Sequence, residues 1–481
     1  MRAQINILYA VFIPLLGAFT LPLIGFISSR IRNACALIFI LASLVFSLKL
    51  IPFALRGEAV MLSSNFPFGL NINFCADGLA VFMSIVSSLI SAIIVLYSFG
   101  YISHYENQNE YYCMVVLFLG SMMGLIFSAN LLLLYIFWEM TAITSWRLIA
   151  FFRQKEYVLR ADKAFLVTFF GALMMLIGFI IIFQQTGSFD LGVIKESAKI
   201  SAISNFAVAL ILVGIFSKSA TLPFHTWLPD AGVAPSPVTA LLHAAILVKI
   251  GVYVYARLFI ATFSIPDFWH TAVPIIAAIS ALVSAGAALI EKDLKRIIAY
   301  STISQIGFIF FGLAVGNKVA VAGALLYILM HGLAKAGLFL CAGIVEQNTK
   351  TKDITKLGGL ISTMPITAVS FLLCAFSVMG IPPFGGFFSK YMVFAGAIAG
   401  RQIAIALVFL VGAFMTILYL LRVFNLVFLG ELKQPQAKEG SLSMVASVAA
   451  LALFSLLGGI FINLPSGFAS VVVRNMIGIV K

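Results

Sequence analysis

Residues 216–257 (FSKSATLPFHTWLPDAGVAPSPVTALLHAAILVKIGVYVYAR) place Lys218, His243 and Lys249 inside apolar segments, with Pro223 and a Pro/Asp/Gly-rich turn between them. A lysine near the centre of a bilayer costs roughly 3 kcal/mol or more. Two lysines and a histidine beside a helix break therefore point to an ion path rather than an anchor. The chemistry is proton carriage: a buried lysine loses basicity by desolvation and regains it when a carboxylate approaches. Glu139 supplies a carboxylate, because it follows an unbroken apolar run in LLLLYIFWEMTAITSW. A Glu139–Lys218 pair that opens and closes would switch the lysine between holding and releasing a proton.

Three further residues fit the same chemistry. His331 and Lys335 follow Tyr327 at intervals of four, so the three share one helical face and suit a relay. Lys390 comes just after GIPPFGG, where backbone carbonyls freed by a helix break line water. In a regular helix Lys249 lies about 9 Å beyond His243 and about 120° around from it. A water-filled crevice, not direct contact, is expected to join them.

The elements that position these groups follow from composition. The chain has 481 residues, 62% hydrophobic and 10% charged, too apolar for a soluble protein of this size. With about 20 residues per crossing it reads as all-α and polytopic, with about 14 transmembrane helices and no large soluble domain. Arg2 and the apolar run behind it read as a first span, not a cleaved signal peptide. The net charge of +13 lies mostly in short loops, where the positive-inside rule accounts for it without nucleic acid. The five cysteines form no CxxC or Cys/His cluster, and there is no Walker, dinucleotide or HExxH motif. No cofactor or metal is expected.

Spans are expected at 5–27, 35–55, 165–183, 203–222, 238–259 and 272–290 among others. A loop of about twenty residues should precede Asp77, read as a helix N-cap. The polar run HYENQNEYY, with His104, should be a solvated loop, as should Glu291, Asp293, Lys295 and Arg296. The seventh and twelfth spans are both broken by proline, and each carries a Phe-Ser-Lys triplet at its break, 216–218 and 388–390. Paired broken helices mark a site at a repeat interface, and the five-helix interval implies two inverted five-helix repeats. The chain then divides into 1–111 (first three helices), 112–260 (first repeat), 261–430 (second repeat) and 431–481 (helix 14 and an apolar tail). Loop charge puts the odd-numbered connections on the cytoplasmic side and both termini on the outer face of a bacterial or archaeal cytoplasmic membrane.

FWEMTAITSW, SKSATLPFHTWLPDAGVAPSPVTALLHAA, DLKRIIAYSTISQIGF, HGLAKAGLFL and GIPPFGGFFSK together resemble the antiporter-like subunits shared by respiratory complex I, Mrp cation/proton antiporters and energy-converting membrane-bound hydrogenases. The resemblance covers about residues 138–390. It implies that Glu139 is the helix-5 glutamate, Lys218 its helix-7 lysine and His243 the helix-8 histidine. It further implies that His331 and Lys335 form the helix-11 relay and that Lys390 ends the second half-channel. Some members carry a second histidine where Tyr327 stands. The largest carry a lateral helix after helix 14, which this chain is expected to lack.

The resulting expectation is a proton-translocating subunit of a redox-driven complex, complex I-like or hydrogenase-like. Protons would pass Glu139, Lys218, Lys249 with His243, His331, Lys335 and Lys390. Its partners would be further antiporter-like subunits and a peripheral redox module that holds the redox centres this chain lacks. The alternative is an Mrp-type Na+/H+ antiporter subunit without redox chemistry. Sodium prefers several oxygen ligands, so a set of Lys and His with one carboxylate favours protons in either case.

Overall fold

The computed structural model describes residues 2–65 and 71–478 and is mostly helical. Among these residues twelve helices are long and apolar enough to cross a membrane. Two shorter apolar helices, Asn205–Lys218 and Pro365–Met379, are the seventh and twelfth expected spans, each stopped early. The helices Ser236–Phe259, Leu294–Val315 and Lys318–Thr349 are almost wholly covered by others and form the centre. Outer helices such as Ile403–Phe428 expose Leu407, Leu410, Phe414 and Leu418, the apolar stripe that a helix turns to lipid.

The breaks follow from local sequence. Asn205–Lys218 ends where Ala220 takes a left-handed φ of 52° ahead of Pro223, whose ring disfavours helix at the residue before it. Pro365–Met379 ends on Gly380 at φ 83°, the conformation glycine adopts without penalty, followed by Pro382 and Pro383. Helix resumes at Gly385–Ala399. The expected seventh span is thus shorter than 203–222, and Lys218 is its last helical residue.

One joint is built twice. Asn130 and Asp190 form an isolated antiparallel bridge, with Leu131 N donating to Phe189 O (2.8 Å) and Leu191 N to Ala129 O (2.9 Å). Asp293 and Asp353 form another, with Leu294 N donating to Lys352 O (2.8 Å) and Ile354 N to Lys292 O (3.0 Å). All four bridge residues are also N-caps whose side chains accept from the next turn's amides. Each joint spans a helix of 32 residues, Lys155–Thr186 or Lys318–Thr349.

Several expectations need correction. The stretch before Asp77 is not only loop: Val60–Asn65 (β1) and Asn71–Ala76 (β2) pair antiparallel, Val60 opposite Ala76. The polar run after Tyr101 is helical from Gln108, and Tyr111 and Tyr112 are buried. The sixth span starts at Lys155, not 165, so Arg160 and Lys163 lie on its first turns. The ninth starts at Asp267, not 272. Lys295 is buried and bonded to Glu346 (2.7 Å) rather than solvated. The expected apolar tail folds as Asn463–Ile477 against Gly78–Tyr101 and Lys318–Thr349; its end at Lys481 lies outside the described residues.

Candidate proton-carrying site

Glu139 lies in Leu131–Ile149, capped by Asn130. It is half-buried, and its Oε1 is enclosed without a hydrogen-bond partner among the described residues. Lys218 is fully buried, and its Nζ donates to the carbonyl of Trp138 at 3.2 Å, with the Trp138 ring centroid 5.2 Å away. The lysine is therefore docked on the residue beside Glu139 rather than on the carboxylate. The carbonyl of Ser217, freed where the helix ends, accepts from Trp227 Nε1 at 3.0 Å.

His243 sits in a π-helical turn, Leu241–Ala245, after which Ile246 leaves helical geometry (φ −127°, ψ −74°). Regular helix resumes at Leu247–Phe259, carrying Lys249. The uniform spacing expected for His243 and Lys249 is therefore interrupted. Lys249 Nζ turns back and donates to the carbonyl of Ala244, the residue after His243. A π-turn frees backbone groups and recurs at functional sites. His243 packs its ring against Phe339 (centroids 4.5 Å apart), and neither of its ring nitrogens has a partner among the described residues.

Tyr327, His331 and Lys335 line one face of Lys318–Thr349 as expected, and all three are buried. Lys335 Nζ donates to Ser301 Oγ (2.5 Å) and Ile298 O (3.2 Å). Tyr419 donates to the same Ser301 oxygen (2.7 Å) and lies 3.2 Å from Thr416 Oγ1. Gln305 donates to Thr416 (3.1 Å) and accepts from Tyr327 (2.6 Å). A continuous polar chain thus runs from Lys335 to Tyr327, bypassing His331, whose ring nitrogens have no partner among the described residues.

Lys390 is buried, and its Nζ donates to Val378 O at 2.7 Å, a carbonyl freed by the helix break. It lies between the rings of Phe308 (4.8 Å) and Tyr327 (5.5 Å), which joins it to the His331 helix. No carboxylate pairs with Lys218, Lys249, Lys335 or Lys390 among the described residues. In each case a backbone carbonyl holds the ammonium.

Sequence reasoning missed Thr416 and Tyr419, polar residues in the largely apolar span Ile403–Phe428, and the part-buried pair Asp77–Arg257. Arg257 grips Asp77 through two bonds (2.5 and 2.8 Å) and also donates to Tyr253 (3.0 Å). Asp77 does cap its helix through Ala80 N (2.9 Å), so the expected cap also carries an ion pair. The one signal was Arg257 near the end of an apolar helix. Among the described residues no group of three or more His, Cys, Asp or Glu side chains is arranged to hold a metal ion.

Residues 128–416 match the family model described as NADH:quinone oxidoreductase/Mrp antiporter, transmembrane, and residues 63–112 match the N-terminus of complex I chain 5. The Na(+)/H(+) antiporter subunit A1 of Staphylococcus aureus is 34% identical over 488 residues, which take in 94% of this chain and 60% of that one. This chain therefore spans about three-fifths of that relative's length. The fold matches a chain of the Mrp complex from a Dietzia species at TM-score 0.90 and 22% identity, covering 99% of this chain and 98% of the other. It matches a chain of the membrane-bound sulfane sulfur reductase, an archaeal respiratory membrane complex, at TM-score 0.90 and 22% identity, covering 98% of each. The chain is an integral, multi-pass membrane protein of the NADH:quinone oxidoreductase/Mrp antiporter family.

Proposed function

We propose that this chain is the proton-carrying antiporter-like subunit of an Mrp-type Na+/H+ antiporter, working beside other membrane subunits and without redox chemistry of its own. The observation that carries this reading is its 34% identity, across 94% of its length, to a Na(+)/H(+) antiporter subunit. On that identity the Mrp-type alternative takes precedence over a redox-driven pump, and a peripheral redox module is no longer needed as a partner.

The route runs Glu139, Lys218, Lys249 with His243, His331, Lys335, Lys390. Its support is that every lysine on it is buried and held by a backbone carbonyl, an arrangement that leaves the ammonium free to lose a proton without breaking an ion pair. Each donor–acceptor step needs mobile water in the gaps, which the unpartnered nitrogens of His243 and His331 would bond. The doubled Asn130–Asp190 and Asp293–Asp353 joints and the two broken helices support the inverted repeats 112–260 and 261–430. The segments 1–111 and 431–481 then flank them, with the odd-numbered connections cytoplasmic and the termini outside.

The test uses the assembled complex in sealed vesicles. An imposed sodium gradient should drive proton movement with no electron donor present. Proton movement that requires a donor and ignores sodium would restore the redox-driven reading.

A further inference from the structure

Three tyrosines, Tyr97 and Tyr101 in the last turns of Gly78–Tyr101 and Tyr105 just after the Ile102–His104 turn that follows, recur at intervals of four, a series the route above does not use. Their rings stand in sequence, with centroids 5.7 Å (Tyr97–Tyr101) and 6.2 Å (Tyr101–Tyr105) apart. At the outer end Tyr105 lines a cavity of about 480 Å³ together with His104, Gln347, Asn348, Lys350 and Glu439. At the inner end Tyr97 donates to Leu340 O (2.9 Å), the residue after Phe339, whose ring packs on His243.

Beside this column lies an ion pair that is equally unused, its lysine buried and its carboxylate partly exposed. Lys295 is 2% exposed, and its Nζ bonds Glu346 (2.7 Å) and the carbonyls of Ala234 (3.0 Å) and Gly232 (3.4 Å). Ser236 Oγ donates to the same Glu346 oxygen at 3.4 Å. Gly343 brings the two groups together: a Cβ there would stand 2.6 Å from the Tyr97 hydroxyl and 2.5 Å from Ser236 Cβ. Leu340 lies five residues, about 7.5 Å of helix rise, from Lys335.

We propose that the column Tyr105–Tyr101–Tyr97, with Glu346, Ser236 and Lys295, is the uptake path by which protons reach the His243–Lys335 region from the polar cavity. This rests on the proton-carrying reading above. The cavity residues come from the connections after the third, eleventh and thirteenth spans, all on the face whose loops the charge rule makes cytoplasmic. Glu346 takes a proton from cavity water, becomes neutral and loosens from Lys295. It then gives that proton inward through a hydroxyl or a water, and the carboxylate re-forms its bond to Lys295. A hydroxyl on the way accepts one proton on oxygen and releases its own, so no charge remains on the column.

The test measures sodium-driven proton flux, in H2O and D2O, for the complex carrying Glu346→Gln, Tyr101→Phe or Tyr105→Phe, beside Lys218→Ala. The expected result is a loss of at least tenfold for Glu346→Gln and several-fold for each Phe variant. The solvent isotope effect should also rise, because uptake becomes rate-limiting; a residue that only holds the fold would not move it. If Glu346→Gln fails to assemble, the two Phe variants, which keep the ion pair, decide the matter. Wild-type flux and isotope effect in the uptake variants, with flux lost in Lys218→Ala, would overturn this path and leave the proton-carrying reading intact. Wild-type flux in Lys218→Ala would overturn that reading itself.

Discussion

The ammonium of Lys249 rests against Gly332, the residue after His331: a Cβ added to Gly332 would lie 2.7 Å from Lys249 Nζ and 2.5 Å from Ile90 Cδ1. The absence of a side chain at 332 is thus what lets a lysine of one central helix approach the backbone of another one residue from its histidine. The contact lies where the route crosses from the first proposed repeat to the second.

Gly332→Ala should therefore push Lys249 away from His331. Overpacking of this kind costs about 1–3 kcal/mol. Assembly should persist while proton flux falls at least tenfold, as measured by pH-indicator uptake into vesicles. Flux at the wild-type level would show that the Lys249–His331 approach is not on the route.

Tyr419 sits between Ser301, which accepts the Lys335 ammonium, and Thr416. Tyr419→Phe removes one hydroxyl, while Ser301 keeps its bond from Lys335 and Thr416 its bonds to Gln305 and Gly412, so the cost is that of one hydrogen bond, about 1 kcal/mol. Flux should drop several-fold, and the pH at half-maximal flux should shift because Lys335 loses part of its setting. Thermal unfolding that changes while the pH profile does not would reduce Tyr419 to a packing role.

Much of this was legible in the sequence. Lysines, histidines and a glutamate inside apolar runs stand out because burying charge is costly, and each one named was indeed enclosed by helices, Glu139 half so. The two breaks were legible because proline and glycine leave few backbone choices. What could not be read depended on distant partners: that Thr416 and Tyr419 would face Ser301, or that Arg257 would meet Asp77 across 180 residues. The π-turn at His243 was hidden too, since no residue type marks it. Lys295 was misread as solvated because a charged EKDLKR run looks like loop, whereas its helix begins at Leu294 and turns Lys295 inward.

Two aspartates outside the spans, the N-cap Asp77 and Asp230 at the end of the short helix Trp227–Asp230, give a pH prediction. Burial pushes the carboxyl of Asp230 up, but its bonds to Lys163 and Arg296 outweigh this and hold it below the ordinary 3.8. Asp77 is likewise raised by burial and then held below 3.8 by Arg257 and the Ala80 amide. A carboxylate depressed in the folded state adds stability that is fully present above its unfolded value and is lost as pH falls through its folded value. The complex should thus keep this contribution at neutral pH and lose it below about 3.8. In Asp230→Asn the acid transition, followed by thermal melts between neutral pH and pH 3, should become shallower.

The most direct measurement compares Lys218→Ala and Glu139→Gln with wild type in the assembled complex, reading sodium-driven proton flux into sealed vesicles. Both substitutions should abolish flux while the complex still assembles, because Lys218 docks beside Glu139 and no other described carboxylate is placed to switch it. Undiminished flux in both variants would contradict the proposed route from its first step.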